Sequence, residues 1–250
     1  MTNITSGLDA LNLLQDDQQG AQNEFTSLKS GDTKTVKILD FGDFIGVHTY
    51  SIFKVVNTFT PEKLAKLSAN GYPVEDLTPF DKAWKFHKDQ SEEFGDHHST
   101  EASKYRLKPR FAIGFYDLDA EEEIVIDFSK NQAKAILAVV QKQHEAGRLG
   151  KRAFELEKSG SGTSTVVSIT PTPLDDLTDS QQKAFEGAPK EFDKSKFEGL
   201  YYVMNEEQQI QSLTQAGFDV SLIGLTPKAQ DEVTVEANPF ENAEDPTQGF

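Results

Sequence analysis

The chain contains no cysteine. Disulfide staples and thiolate zinc ligation are therefore excluded, and a reducing cytoplasm suits such a composition. Also missing is any run of eighteen apolar residues, and the opening stretch MTNITSGLDALNLLQDDQQG has neither a basic leader segment nor a continuous apolar core. A soluble, unexported, cytoplasmic protein is the expectation. No GxGxxG, Walker, HExxH or GxSxG pattern occurs, which removes the common nucleotide, protease and hydrolase signatures. The glycines of SGSGTST sit between two strand-like arms and do not lead through Lys-Ser/Thr into a helix, so they read as a turn and not as a phosphate loop.

Basic residues are scarce, and unevenly so. The 250 residues hold 41 Asp and Glu against 25 Lys and Arg, a net charge of -16. Residues 31 to 158 carry 19 basic and 21 acidic side chains, a net of -2, while residues 159 to 250 carry 5 and 16, a net of -11. The acidity thus belongs to the C-terminal third, and the near-neutral body is free to present a basic face, because a polyanion feels the local field. A mean hydropathy of -0.53 is low for a fully compact chain of this size, so part of it is expected to be loosely attached.

Four segments follow from the pattern. Residues 1–30 form a polar N-terminal arm with a short stripe at Leu8, Leu11 and Leu14. Residues 31–171 form the core, 172–228 a helical or irregular extension, and 229–250 a disordered acidic tail with six acidic residues, no basic residue and aromatic anchors at Phe240 and Phe250. Within the core, Val36, Ile38 and Phe41 read as a strand, HTYSIFKVVNTF as a second β run, PEKLAKLSANG as a helix opened at Pro61, and LTPFDKAWKFHKDQ as a helix opened at Thr78-Pro79 with Phe80 and Trp84 on one face. The polar run GDHHSTEAS interrupts. Residues 104 to 128 alternate as a hairpin, SKNQAKAILAVVQKQHEAG is a helix capped by Ser129, and KRAFELEKSGSGTSTVVSITP is a second hairpin.

The chemistry-bearing residues cluster on these hairpins. KYRLKPRFAIGFY interleaves Lys104, Arg106, Lys108 and Arg110 with Tyr105, Phe111, Phe115 and Tyr116. Alternation puts the cations on one side of the strand and Tyr105 with Leu107 on the other. Lys130, Lys134, Lys151, Arg152 and Lys158, with Phe154, add cations and a ring on neighbouring elements. Cations for phosphates and ring faces for bases are the two materials of a single-strand-binding groove. Rings on strands are also ordinary core residues, which is the competing reading for Phe111, Phe115 and Phe154. Asp117, Asp119 and Glu121 to Glu123 at the hairpin tip read as a solvated loop ahead of a Mg²⁺ site. His87, His97 and His98, with Asp96, are the weak candidates for a metal; their spacing is nonspecific, and no metal or cofactor is assigned.

Taken together, KYRLKPRFAIGFYDLDAEEEIVIDFSKNQAKAI, the helix after it, and GKRAFELEKSGSGTSTVVSITP resemble the single-stranded DNA-binding proteins of tailed bacteriophages, with TYSIFKVVNTF and LTPFDKAWKF similar to earlier segments of that family. The resemblance spans about residues 33 to 171. It implies a mainly β chain with helical insertions, folded as an OB-fold barrel. It also implies a groove lined by Tyr105, Arg106, Lys108 and Arg110, stacking by Phe111 or Phe115, further contacts near Phe128, Phe154 and Lys158, and an acidic tail that recruits replication or recombination proteins. Where some members hold zinc through cysteines and histidine, this chain has no cysteine.

The expectation is a non-catalytic protein that coats and protects unpaired DNA during replication, recombination and repair, self-associating along the strand, in the host cytoplasm if of phage origin. The rivals are a metal-dependent replication nuclease using Asp117, Asp119 and Glu123, and a structural phage protein that binds no nucleic acid.

Overall fold

The computed structural model describes residues 23–227. The leucine stripe at Leu8, Leu11 and Leu14 and the acidic segment 229–250 lie outside the described residues.

Alternating apolar residues build the strands β1 (Thr33–Lys37), β2 (Phe44–Ile52), β3 (Val56–Pro61), β6 (Lys108–Asp117), β7 (Glu122–Ser129), β8 (Ala153–Ser159), β9 (Val166–Thr172) and β10 (Tyr202–Met204), with β4 (Lys66–Leu67) and β5 (Pro73–Glu75) as a separate small hairpin. The large sheet has the order β10-β3-β2-β6-β1-β8-β9, with β7 on the other edge of β6. Strand β6 is its hub. The first half of β6 pairs with β2, Lys108 opposite Thr49 through Ile113 opposite Phe44. Its end pairs with β1, and nearly its whole length pairs with β7. The helices are α1 (Pro79–Gln90), α2 (His97–Tyr105), α3 (Lys130–Glu145), α4 (Asp179–Gly187) and α5 (Glu206–Gln215).

The expected OB-fold barrel is not formed, and a mainly β chain gives way to a mixed α/β one. Among the described residues β7 pairs only with β6 and β9 only with β8, so the sheet stays open. Two features lie against the unclosed strands. Helix α3 packs on β9, β7 and β6, burying Ala133, Ile136 and Val140 in the main core with Phe115, Phe128, Phe154 and Leu156. The segment before β1 lies on the free edge of β7: Thr26 N–H donates to the Val125 carbonyl at 2.8 Å, and Leu28 enters the same core.

The chain after residue 172 covers the sheet. Leu177, Ala184 and Phe185 pack on Tyr116, Leu118 and Ala153, while Phe192 and Leu200 pack on Ala112 and Val125. Strand β10 runs parallel to β3, and α5 joins α1 and α2 around a second core of Tyr50, Phe59, Phe80, Tyr105, Leu213 and Phe218.

The Thr78-Pro79 helix start is borne out by a reciprocal cap, in which the Asp81 N–H donates to the Thr78 hydroxyl and the Asp81 carboxylate accepts the Thr78 N–H, each at 3.1 Å. Ser129 and Gln132 form the equivalent cap on α3. The helix expected at residues 61 to 71 is absent. Leu64 is exposed while Ala65 is buried and Leu67 packs on the second core, so the apolar residues do not share one helical face, and Lys66 and Leu67 pair instead with Glu75 and Pro73. Conversely, the run taken as an interruption contains α2, whose Asp96 cap accepts the Ser99 N–H at 2.5 Å. Among the described residues no helix is long and apolar enough to cross a membrane.

Candidate nucleic-acid interface

Leaving α2, the chain becomes extended at Arg106 and feeds β6. Alternation then sorts the side chains as the pattern requires: Tyr105 and Leu107 turn into the second core, Arg106 and Lys108 out to solvent. Three cations crowd here, and burial of its stem, reinforced by Arg106 and Arg110 alongside, holds the Lys108 ammonium below the ordinary lysine value. Arg110 is committed: its Nε donates at 3.0 Å to both oxygens of Asp127, which also accepts the Tyr201 hydroxyl at 2.9 Å. Among the described residues neither Arg106 nor Lys108 has an ion-pair partner. An anion placed beside them would relieve their mutual repulsion.

A ring stands next to these cations. Tyr72 is delivered by the turn between β4 and β5, where Gly71 takes the left-handed step at φ 78°. The turn is closed by Ser68, whose N–H donates to the Tyr72 carbonyl at 2.8 Å and whose hydroxyl accepts the Tyr72 N–H at 3.1 Å. The phenol is 41% exposed, lies nearly parallel to the Trp84 indole of α1 (centroids 5.8 Å apart, planes 12° apart), and has the Arg106 guanidinium 5.3 Å from its centroid. A second exposed ring caps the β2–β3 turn: Phe53 is 86% exposed with the Lys54 ammonium 5.3 Å from its centroid. Because Thr49 pairs with Lys108, Phe53 lies four residues farther along the chain, just past the end of β2 and no more than about 13 Å away along the strand direction.

The rings expected to stack are mostly not available. Phe115 and Phe154 are fully buried in the main core, Tyr116 packs under Leu177, Ala184 and Phe185, and Tyr105 belongs to the second core, its phenol held protonated by burial. Phe128 is buried as well. Phe111 is half-buried, its ring lying on the backbone of Gly46, where a Cβ would meet it at 3.3 Å.

The expected cations also divide. Lys104 pairs with Glu101 at 2.6 Å. Lys158 donates to the Leu28 carbonyl at 2.7 Å, at the side of a cleft of about 310 Å³ beneath the N-terminal segment. Lys130 and Lys134 are exposed on the first turns of α3, next to the Arg110–Ser129 pair. Lys151 and Arg152 precede β8. Since Val36 pairs with both Phe154 and Asp117, they lie at the far end of β6, about 30 Å of strand from Lys108. The single trough expected from residues 104–116 and 151–158 is therefore not assembled.

The acidic tip is committed to structure. Asp117 is buried, pairs with Lys34 at 2.5 Å and accepts the Asp119 and Ala120 N–H groups, while Asp119 accepts from Gln181 and Glu123 from the Asp193 N–H. Among the histidines, His87 and His98 meet Nδ1 to Nδ1 at 3.0 Å. Among the described residues no group of three His, Asp or Glu side chains is arranged to hold a metal ion.

Tyr72, Trp84, Phe53 and Lys54 are the site residues that sequence reasoning passed over. The signal for Tyr72 was the Asn-Gly step in NGYP, a turn that puts the next ring on a loop. No protein-family model and no curated protein matches the chain.

Proposed function

We propose that this protein is a non-catalytic single-stranded DNA-binding protein of the phage type, coating and sheltering unpaired strands during replication, recombination and repair in the host cytoplasm. The observation that carries the reading is the Arg106–Tyr72–Trp84 cluster beside the unpaired Lys108. The part of Tyr72 that Trp84 and Arg106 leave exposed is where an unstacked base would pack, with Arg106 and Lys108 taking neighbouring phosphates. Phe53 with Lys54 extends the path by a second ring and cation. Duplex bases are stacked away from such rings, so single strands are preferred.

The acidic residues 229–250 are repelled by DNA and free to engage replication or recombination proteins once the cationic face is occupied. Removing them strengthens binding at low salt; unchanged affinity counts against that part of the proposal.

The deciding experiment titrates mixed-sequence single-stranded and duplex oligonucleotides into the protein at two salt concentrations, following the emission of Trp84, the sole tryptophan. Quenching by single strands that weakens steeply with salt is the expected result. No response at low salt to either polynucleotide sinks the proposal and leaves a structural role.

A further inference from the structure

The two helices that deliver the candidate site pack along each other, Phe80 against Tyr105 and His87 against both Tyr105 and His98, and the His87–His98 contact is their polar link. α1 carries Trp84 and, one turn later, His87; α2 begins with His97 and His98 and ends at Tyr105, next to Arg106. His87 Nδ1 and His98 Nδ1 are 3.0 Å apart, a distance that needs one nitrogen to donate and the other to keep its lone pair. One ring's Nδ1–H donates to the other ring's Nδ1 lone pair, a bond that survives protonation of the donor ring at Nε2; only a proton on the acceptor's Nδ1 breaks it and sets N–H against N–H. The His87 ring also lies flat on Tyr105 (5.7 Å, 4°) and meets Phe218 edge-on at 5.8 Å.

We propose that the His87–His98 contact is a clasp that positions Trp84 against Tyr72 and Arg106, and that acidification opens it and loosens the stacking platform. The part concerning nucleic acid rests on the function proposed above; the clasp itself does not.

The surroundings set the sign. On α2, Glu101 faces His87 and favours its protonation, but that carboxylate is paired with Lys104 at 2.6 Å. His97, His98 and Lys104 oppose protonation, Tyr105 offers a neutral phenol, and Phe86 and Phe218 offer uncharged rings. Burial among these rings holds His87 below the ordinary histidine value of 6.5. Because burial resists its protonation, His87 is the ring that keeps the accepting Nδ1 lone pair; the clasp is closed above that value and opens as the pH falls below it and a proton occupies that nitrogen. Charge alone makes the opposite demand, because protonated histidines should strengthen binding to a polyanion.

The first arm of the test uses the full chain without nucleic acid, following Trp84 emission and far-UV circular dichroism from about pH 7.5 to about pH 5.5 at constant salt. The emission should shift with a midpoint below 6.5 while helix content holds. His98→Gln, whose amide keeps a donor and an acceptor but does not titrate, should hold the emission steady, and His97→Gln should behave as the parent. A flat parental trace overturns the clasp, as does a His98→Gln protein that titrates like the parent. Should His98→Gln fold poorly, the parental trace decides.

The second arm measures oligothymidine affinity over the same range. The parent should weaken about fivefold on acidification, a typical coupling between sites, and His98→Gln should not weaken. Tighter parental binding at low pH overturns the coupling. An emission change with no oligonucleotide binding at any pH sinks the nucleic-acid reading and leaves the clasp standing. Binding with a flat emission trace does the reverse.

Discussion

Phe192 lies directly on the backbone of Gly114: a Cβ built on that glycine would come within 2.6 Å of the Phe192 Cζ and 2.8 Å of both Cε atoms. Gly114 is in the middle of β6, and Phe192 belongs to the covering segment after α4, so the late part of the chain is fitted to the hub strand atom against atom. Gly114→Ala should cost about 1–3 kcal/mol through overpacking. Urea unfolding measures it, and an undiminished midpoint would show that Phe192 does not seat on β6.

Tyr72 is tested by the ring and not by the hydroxyl. Tyr72→Ala should weaken single-strand binding by about 1–3 kcal/mol, the worth of one stacked base, whereas Tyr72→Phe should bind like the parent. Because Tyr72 sits at the surface, 41% exposed, the thermal midpoint should move little in either variant. Equal losses in both variants would assign the effect to the hydroxyl and remove the stacking argument.

In the proposed function Lys108 and Arg106 act through phosphates. Replacing Lys108 by alanine should weaken binding to all sequences alike and lower the slope of log affinity against log salt by about 0.7, the single-strand value for one phosphate contact. A sequence-dependent loss with an unchanged slope would contradict this role.

Asp96 caps α2 and accepts N–H groups from Ser99, Glu92 and Glu93 and the Ser91 hydroxyl, which together hold its carboxyl down to about 2 from an ordinary 3.8. The ionised cap favours the fold, so its contribution is complete above about pH 4 and is lost as the pH falls through about 2. The Asp96 carboxyl carbon resonance, followed by acid titration, should move near pH 2. A midpoint at the ordinary value would mean that the cap bonds do not persist in solution.

Asp117 distinguishes the structural assignment from the nuclease alternative. With Lys34 and two backbone N–H groups as partners, Asp117→Ala should lower stability by about 2 kcal/mol, read by chemical denaturation. Single-stranded DNA incubated with Mg²⁺ and the parent protein should remain intact. Cleavage that vanishes in the Asp117 variant would reinstate the enzyme.

Much of the secondary structure was legible because it is written locally. The alternation of Phe111, Ile113 and Phe115 against Ile124, Ile126 and Phe128 defines the β6–β7 hairpin, in which these residues pair directly. Thr78 and Ser129 mark helix starts through caps that need only a few neighbouring residues. Helix α2 escaped notice because HHSTEASKY has no apolar stripe. Its Tyr105 finds its burial in the second core, and a window of nine residues does not contain that surface.

The candidate site was half legible for a related reason. Period-two alternation separates the faces of a strand but does not say which face is interior, or whether both are covered. The outward direction of Arg106 and Lys108 followed from the pattern, while the burial of Phe115, Tyr116 and Phe154 did not. Tyr116 is enclosed by residues of the segment that follows β9, more than fifty positions later in the chain.

By itself the sequence determined what short-range chemistry can encode: the two hairpins, the capped starts at Thr78 and Ser129, the absence of thiol chemistry, and the segregation of acidity into the last third. Tertiary structure decided the open sheet in place of a barrel, the splitting of the cations between opposite ends of β6, and the choice of Tyr72 over Phe115 as the exposed ring. The physical reason is that burial belongs to pairs of surfaces. A ring stays outside only when no distant segment arrives to cover it, and that is settled by how α3, α4 and the chain around Phe192 pack on the sheet.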